Sequence, residues 1–374
     1  MLKGVLKLPV IVSDKEALII FKKLSAINKK IGKLDVSLKK SLINSSLLSL
    51  LMYNESVQST KIEGTQVTFH EIMESQNRKN KSLEEIEVEN YRKAIKFGVN
   101  EIKEGSVITS KLIKKLHTIL MDNARGTTAN KGEFRKIQNH IGPDEKIENA
   151  TYIPINANEI PEYMTNLEYF INGEMHRDFQ IEIQDNNTSL DHSIDSLLRI
   201  CIMHAQFESI HPFLDGNGRL GRILIALMAV QEEIMDSPLF FVSEELEKER
   251  IRYYNSLNGT RGDDPDWITW IHFFLNASER MADKILKKID DSDNLALYGL
   301  SKCKTEIQKN VWLETFKHPI VTSNIISKIT GNHQSTVKKA LDNLVDLGLL
   351  DKDKSMKRNV KYYNYDLLRI ISQS

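Results

Sequence analysis

Apolar residues recur at the three- and four-residue spacing of an α-helix through most of this 374-residue chain. Up to about residue 100 they alternate with a lysine-rich polar face, as in amphipathic helices. Between residues 44 and 63 the apolar positions include Leu47, Leu48, Leu51, Met52 and Ile62. Further apolar helices are expected after residue 218 and at 267–275. The pattern predicts a mainly α-helical protein.

Glycine, proline and capping residues mark the ends of these helices. Gly64 follows the helix expected at 44–63 and suits the first position after a helix. Thr68 and Glu71 have the spacing of a capping box, which predicts that the next helix begins there. Two turn-rich stretches, 132–143 and 150–154, predict the strands of a β-hairpin. An irregular loop is the alternative for these stretches.

The segment 211–222 brings several reactive groups together. A proline and the run Gly216–Gly218 exclude a helix interior, so the segment begins as a loop and ends at a helix N-terminus. Free backbone N–H groups at such an end favour an anion. Arg219 and Arg222 share one face of the first turn, where positive charge opposes the helix dipole. With His211 and Asp215 beside them, they predict a polyphosphate site.

Glu63 is expected in the last turn of its helix, where the dipole disfavours a carboxylate. Ser59 lies four residues earlier on the same face. Residue types alone allow two interpretations. Glu63 is either an exposed residue without a role or the partner of a cation elsewhere in the chain.

Residues 211–222 resemble the signature of the Fic family, His-Pro-Phe-x-[Asp/Glu]-Gly-Asn-Gly-Arg-x-x-Arg, at every specified position. Members of this family transfer the AMP moiety of ATP to a hydroxyl of a target protein with Mg²⁺. The resemblance implies a Fic-type helical core with a small β-hairpin flap and a helical N-terminal extension.

The resemblance also implies a role for each signature residue. His211 would be the general base that deprotonates a Ser, Thr or Tyr hydroxyl, which suits an imidazole near neutral pH. Asp215 would bind the magnesium ion that bridges the phosphates. The anion hole would be lined by Gly216, Asn217 and Gly218. Arg219 would contact the phosphate chain and Arg222 the γ-phosphate.

Residues 59–64 are similar to the inhibitory motif of the family, [Ser/Thr]-x-x-x-Glu-[Gly/Asn]. By this resemblance, Glu63 pairs with Arg222 and blocks the γ-phosphate, and Ser59 belongs to the same motif. The motif precedes the signature, as in family members that carry their inhibitor as an N-terminal extension.

Two other segments resemble parts of the family fold. Residues of about 138–154 would form a flap that pairs with the extended backbone of the target protein. Tyr253 and Tyr254 would lie on the adenine side, with one of the two contacting the nucleotide. His204 and Glu208 are interpreted as structural residues, because a helix face beside a site needs polar partners.

Composition narrows the remaining possibilities. The chain carries 51 Lys and Arg against 51 Asp and Glu, so its net charge gives no overall attraction to nucleic acid or membrane. No apolar run reaches bilayer length, and the N-terminus lacks a signal peptide. Two cysteines far apart in sequence predict a reducing, cytoplasmic environment.

Three regions are expected: an N-terminal helical region with the inhibitory motif at 1–100, a catalytic core with flap at 101–285, and a winged helix-turn-helix at 298–374. Residues 320–374 hold nine Lys and Arg against five Asp and Glu. This last region would bind DNA or would serve protein contact and dimerisation. The polar stretch 172–195 is an insertion without an assigned role.

The sequence therefore predicts a protein adenylyltransferase that uses ATP and Mg²⁺ and is inhibited by its own Glu63. Two alternatives stay open: an enzyme that removes AMP from a modified target, and a DNA-binding regulator whose pocket senses ATP. The partner is a target protein bound through the flap. Self-modification, DNA and a second copy of the chain in a homodimer are further partners left open.

Overall fold

A computed structural model describes residues 2–76, 78, 80–125, 130–144, 146–174, 179 and 182–373. Helices dominate, as the apolar spacing predicts. The N-terminal half contains α1 (Asp14–Lys40), α2 (Asn44–Ile62), α3 (Phe69–Ser75), α4 (Leu83–Lys103) and α5 (Ser110–Leu120). The central helices are α6 (Ile160–Ile171), α7 (Ser196–Ile210), α8 (Asn217–Gln231), α9 (Ser243–Lys248), α10 (Arg250–Gly259) and α11 (Trp267–Lys302).

Helices α7 and α8 form the centre of the molecule. Nearly every residue of both is buried, so neither has the polar stripe of a surface helix. They pack against each other, and α4, α5 and α6 surround them. The signature segment joins α7 to α8, so its loop is held between two helices that solvent does not reach.

Helix α2 ends one residue earlier than the expected span. Its last helical residue is Ile62, and Glu63 is the C-cap. Gly64 follows with a φ of +94°, a left-handed conformation that favours glycine. Thr68 and Glu71 form the expected capping box at the start of α3. The local signals therefore fix the direction in which Glu63 leaves its helix.

The strands are short and involve the N-terminal arm, which we define as residues 2–8. Before residue 200 the described strands are β1 (Leu2–Lys3), β2 (Val10–Ser13), β3 (Tyr152–Ile153) and β4 (Asn187–Leu190). β1 pairs in parallel with β3, and β2 pairs antiparallel with β4 from Val10 opposite Leu190 to Ser13 opposite Asn187. Part of the 172–195 insertion therefore forms β4, while residues 175–178, 180 and 181 lie outside the described residues.

The expected flap is smaller than a regular hairpin. Ile141 and Tyr152 form one antiparallel bridge, and a 3₁₀ turn at Ile147–Asn149 precedes the returning strand. Residue 145 of the flap is not described. The outer edge of β3 is occupied by the N-terminal arm: the N–H of Gly4 donates to the carbonyl of Ile153 at 2.9 Å.

The C-terminal unit has its own small sheet. Its elements are α12 (Glu306–Lys317), β5 (Ile320–Thr322), α13 (Ser323–Thr330), α14 (Gln334–Asp346), β6 (Asp351–Lys352), β7 (Lys361–Tyr363) and α15 (Tyr365–Ser372). The sheet is antiparallel in the order β5-β7-β6. Helix α11 runs unbroken across residues 285 and 298 into this unit.

The C-terminal unit packs against the helices that carry and follow the inhibitory motif. Lys361 Nζ lies 3.0 Å from Glu74 Oε1 of α3. The ring of His70, also on α3, stacks on Tyr363 and Tyr365 at centroid distances of 6.2 and 6.1 Å. Helices α12 and α15 contact α2. Among the described residues, no helix has the length and apolar character to cross a membrane.

Candidate active site

His211 terminates α7 in a left-handed conformation with a φ of +50°. Its N–H donates to Phe207 O at 3.0 Å, and its carbonyl accepts from Arg135 Nε at 3.0 Å. Its imidazole is half-buried, with Nδ1 3.3 Å from the Glu208 carbonyl. The side chain of Arg135, from a distant segment, therefore helps to hold the backbone turn that presents this imidazole.

Burial, with Arg261 and Arg135 nearby, lowers the pKa of His211 to about 4. The ring is therefore neutral at physiological pH. A neutral imidazole has a lone pair on one nitrogen and can accept a proton. This protonation state is the one a general base requires.

Asn217 holds the signature loop together from inside. Its Oδ1 accepts from the N–H of Phe213 at 2.9 Å, and its Nδ2 donates to the carbonyl of Phe213 at 2.9 Å. The side chain is therefore turned toward the loop and away from an anion above it. The backbone N–H groups in the first turn of α8 remain the donors that an anion would meet.

Asp215 lies at the mouth of the site with 42% of its side chain exposed. Its Oδ1 accepts from the N–H of Gly216 at 2.5 Å and lies 3.5 Å from Arg219 Nη2. Its carbonyl oxygen is 3.0 Å from His117 Nε2. Gly216 has a φ of +77° and takes the sharp turn into α8.

Arg219 lies under the loop, with 6% of its side chain exposed. Its Nη1 is 3.8 Å from Glu87 Oε2 of α4. Glu87 also accepts from Arg125 Nε at 2.7 Å and from Thr65 Oγ1 at 3.1 Å. Thr65 follows the inhibitory motif by one residue, so Glu87 connects that segment to the signature arginine.

Arg222 is fully buried and is held by residues 59–64, the segment that resembles the inhibitory motif of the family. Its Nε donates to Ser59 Oγ at 2.8 Å and its Nη2 to the Ser59 carbonyl at 3.0 Å. The same Nη2 lies 2.5 Å from Glu63 Oε1. Two segments 159 residues apart therefore meet at one guanidinium.

Glu63 and Arg222 each favour the charged form of the other. Burial raises the pKa of Glu63, but the adjacent Arg222 outweighs it and leaves the pKa below its usual value. Burial likewise lowers the pKa of Arg222, and the surrounding acidic groups, with Glu63 the strongest, together more than reverse that effect. About a third of the Glu63 side chain, 36%, reaches solvent. The ion pair therefore closes a cleft that is still open on one side.

Gly218 leaves room for Glu63. A methyl group at position 218 would overlap Glu63 Oε1 and would come within 3.1 Å of Arg222 Nη1. The absence of a side chain at this glycine therefore allows the Glu63 carboxylate to lie close to the first turn of α8. This steric role adds to any role of its backbone N–H.

The two tyrosines have different surroundings. Tyr253 is 1% exposed, and its hydroxyl lies 2.9 Å from His204 Nε2. Tyr254 is 40% exposed, and burial together with the nearby Glu63 raises its pKa to about 12. Tyr254 therefore faces the cleft, whereas Tyr253 belongs to the core. The expectation that one of the two contacts nucleotide remains a prediction, now for Tyr254.

His204 and Glu208 are both buried, in line with their interpretation as structural residues. Burial lowers the pKa of His204 to about 3 and raises that of Glu208 to about 7. Glu208 Oε1 and His204 Nδ1 have no hydrogen-bond partner among the described residues. Both atoms face Gly221, whose missing side chain leaves the space they occupy.

Sequence reasoning missed four residues that build the site: His117, Glu87, Arg125 and Arg135. His117 and Arg135 hold the backbone of the loop, while Glu87 and Arg125 form the ion-pair cluster under Arg219. Three of them stand in no motif, while Arg135 lies in the stretch 132–143 that was assigned to the hairpin without a role for the arginine. Each lies far in sequence from the group it holds.

Two protein-family models match the regions of the chain that carry the signature segment and residues 59–64. The Fic/DOC family model matches residues 107–229, and the Fic/DOC family N-terminal model matches residues 21–100. Together they cover just over half of the chain and include both the signature and the inhibitory motif. The chain belongs to the Fic/DOC family.

Curated relatives of this Fic protein match parts of it. The protein adenylyltransferase fic-1 of Caenorhabditis elegans is 27% identical over 205 residues, 54% of this chain and 34% of the relative. A probable protein adenylyltransferase of Aquifex aeolicus is 46% identical over 44 residues, 12% of this chain and 14% of the relative. The matches thus span about a third or less of these relatives' own lengths.

Solved Fic structures share the fold. A Fic family protein from Desulfovibrio desulfuricans G20 covers 91% of this chain and 95% of its own, with 17% identity and a TM-score of 0.54. Fic-1 (residues 134–508) from C. elegans covers 74% of both chains, with 17% identity and a TM-score of 0.51. At these identities the likeness establishes the mainly α-helical Fic fold.

Proposed function

We propose that this Fic protein transfers AMP from ATP to a Ser, Thr or Tyr hydroxyl of a target protein. One observation carries the proposal: His211 ends α7 just before the helix N-terminus that carries Arg219 and Arg222. A proton acceptor next to an anion-binding helix end is what phosphoryl-group transfer to a hydroxyl requires. The names of the curated relatives agree with this activity.

In the reaction, the target oxygen forms a bond to the α-phosphorus and the bond from that phosphorus to the β-phosphate oxygen breaks. The hydroxyl proton goes to His211, and pyrophosphate leaves. The first turn of α8 and Arg219 would hold the negative charge, and Arg222 would bind the γ-phosphate. Positioning and charge neutralisation are the main contributions in such displacements.

Asp215 fits the expected magnesium ion. One carboxylate oxygen is engaged by Gly216 and Arg219, and the side chain is exposed at the mouth of the site. Mg²⁺ commonly uses one or two carboxylates together with substrate phosphates. When bound, the ion would neutralise charge on the phosphates.

We further propose that Glu63 inhibits the enzyme. Its carboxylate takes Nη2 of Arg222, which the γ-phosphate would otherwise use. Ser59 keeps the guanidinium in place through two hydrogen bonds that do not depend on Glu63. The arginine would therefore stay in position when Glu63 moves away.

The target would bind beside the flap at about 138–154. Its outer edge is taken by the N-terminal arm, so the target strand would use the edge of residues 137–140. Asn139 Nδ2 of that edge donates to Phe213 O at 3.2 Å, which puts it next to the signature loop. A bound hydroxyl would thereby come close to His211.

The test is incubation of the purified protein with ATP labelled on the α-phosphate, with and without a cell lysate. Label retained on protein bands supports AMP transfer, and His211→Ala should abolish it. Label that appears with ATP carrying the radioisotope only at the γ-phosphate would instead indicate phosphorylation. If an AMP-modified target loses its label with wild-type protein, removal of AMP becomes the favoured activity.

DNA binding is a second proposed function, in the C-terminal unit. Its order of helices and strands is similar to that of a winged helix-turn-helix, in which α14 would be the recognition helix. Lys338 and Lys339 are exposed on α14, and Lys354, Lys357 and Arg358 are exposed in the turn between β6 and β7. Homodimer formation and a cytoplasmic location stay predictions.

A further inference from the structure

His117 is a buried imidazole whose two nitrogens are both engaged, each with a different part of the chain. It lies on α5 and is 3% exposed. The N–H of Gly132 donates to Nδ1 at 2.8 Å, and Nε2 lies 3.0 Å from the carbonyl oxygen of Asp215. The ring also stacks on Phe213, with centroids 3.8 Å apart. One side chain thus joins Gly132, which we call the flap root because it precedes the flap in the chain, to the signature loop.

These contacts define the tautomer of the ring. Because Gly132 donates its N–H to Nδ1, that nitrogen carries the lone pair and the proton is on Nε2. Nε2–H therefore donates to the Asp215 carbonyl. Gly132 has a φ of +81°, and a methyl group there would overlap Thr118 of α5. The close approach of the flap root to His117 thus depends on this glycine.

The bond to the carbonyl limits the movement of Asp215. Its peptide group is held on one side by His117, and its Oδ1 is held on the other by the N–H of Gly216. A methyl group at Gly216 would come within 2.9 Å of Met121 Sδ, so the loop passes close to the end of α5 at this point. With Oδ1 engaged, the carboxylate has its second oxygen left for the site.

We propose that His117 is a positioning residue that aims the carboxylate of Asp215 at the metal of the nucleotide. This inference rests on the proposed function, in which Asp215 binds Mg²⁺. Residues that orient a metal ligand through a hydrogen bond typically change metal affinity by about 10–100-fold when they are altered. Because His117 also holds Gly132, the flap root and the metal ligand keep a fixed relation.

Two substitutions separate the two hydrogen bonds. His117→Gln reaches as far as Nε2 and keeps a donor for the Asp215 carbonyl, while it loses the acceptor for Gly132. His117→Asn keeps an acceptor at the position of Nδ1 and loses the donor to Asp215. His117→Phe keeps the stacking on Phe213 and loses both bonds. All three are neutral, so none changes the charge of the site.

The measurement is the affinity of Mn²⁺ for the full-length protein with bound ADP. Electron paramagnetic resonance reports the bound and free Mn²⁺. ADP is chosen because it lacks the γ-phosphate that Glu63 would oppose. We expect His117→Asn and His117→Phe to weaken Mn²⁺ binding by about tenfold and His117→Gln by about twofold or less. ADP affinity without metal and the unfolding midpoint serve as controls for each variant.

If His117→Gln and His117→Asn weaken Mn²⁺ binding equally, the inference is overturned, because the hydrogen-bond donor to the Asp215 carbonyl would then have no effect. Unchanged Mn²⁺ affinity in all three variants would overturn it as well. Asp215→Asn distinguishes the premise: if it leaves Mn²⁺ binding unchanged, the proposed metal site fails and this inference fails with it. Should His117→Asn not fold, the comparison of Gln with Phe decides the question.

Discussion

Replacing Glu63 by glycine tests the proposed inhibition most directly. The substitution removes the carboxylate that lies 2.5 Å from Arg222 Nη2 and leaves both bonds from Arg222 to Ser59. Residue 63 is a helix C-cap, a position where glycine is accepted, so α2 should keep its end. The variant should therefore change the phosphate site without changing the fold.

The size of the effect follows from the surroundings of the ion pair. A hydrogen bond between charged groups contributes about 1.5–3 kcal/mol, and solvent at the exposed third of Glu63 reduces it toward the lower part of that range. About 2 kcal/mol in favour of the closed site corresponds to about a 30-fold increase in transfer when it is removed. Glu63→Gln keeps a hydrogen-bond acceptor but loses the charge, so its transfer rate should lie between those of the wild-type protein and Glu63→Gly.

The assay has a binding arm and a rate arm. Calorimetric titration with a non-hydrolysable ATP analogue should show tighter binding for Glu63→Gly, while ADP affinity should stay constant because ADP has no γ-phosphate. Self-modification with α-labelled ATP should rise by the factor given above. The double variant with Arg222→Ala should resemble Arg222→Ala alone, since the γ-phosphate site is then missing.

Two results would refute this reasoning. One is a Glu63→Gly variant with unchanged ATP affinity and unchanged transfer. The other is an equal gain in ADP and ATP affinity, because opening the γ-phosphate site cannot help ADP. If the wild-type protein strips AMP from a modified target, Glu63→Gly should instead abolish that activity while transfer rises.

Further substitutions test the rest of the site and the C-terminal unit. His211→Ala should bind nucleotide normally and lose transfer by about 10²–10⁴-fold in steady-state assays. Because the pKa of His211 is lowered to about 4, transfer should stay constant from pH 7 to about 5 and fall only below that. A fall of the transfer rate centred near pH 6.5 would contradict the lowered pKa of His211. His204, with a pKa of about 3, stays neutral in the folded state while the unfolded chain protonates below about pH 6.5. Stability in urea should therefore decrease as pH falls from 6.5 toward 3, by at most about 1.4 kcal/mol per pH unit for this group. Lys361→Met removes the ion pair with Glu74 and loosens α3, so self-modification should rise a few-fold, whereas exposed Lys357→Met should not change it. If α14 binds DNA, Lys338→Ala with Lys339→Ala should weaken binding and lower its salt dependence in gel-shift titrations.

The sequence predicted the features that depend on neighbouring residues. The capping box at Thr68 and the left-handed Gly64 follow from short-range preferences that hold in any fold. The loop at 211–222 follows from its proline and glycines. The meeting of Glu63 and Arg222 was predictable only through resemblance to a family, because no local rule brings residues 159 positions apart together.

Features that depend on packing were not accessible. His117 lies 98 residues from the Asp215 carbonyl it contacts, and a single histidine on an apolar helix face carries no local signal of such a contact. The two hydrogen bonds between the Asn217 side chain and Phe213 inside the loop could not be seen in the sequence, and the expectation that Asn217 lines an anion hole stays a prediction for its backbone N–H. Tyr253 and Tyr254 are adjacent in sequence, and only burial separates them.

The N-terminal arm has a practical consequence for anyone who handles this protein. The carbonyls of Gly4, Val5 and Leu6 accept from Gly262 N–H, the Tyr163 hydroxyl and Gln206 Nε2. A purification tag fused before Leu2 would therefore emerge beside the flap, where its own serines could be labelled and counted as target modification. A tag after Ser372 would leave from α15, which contacts α2 and α3. Untagged protein is therefore the proper reference for the transfer assays proposed above.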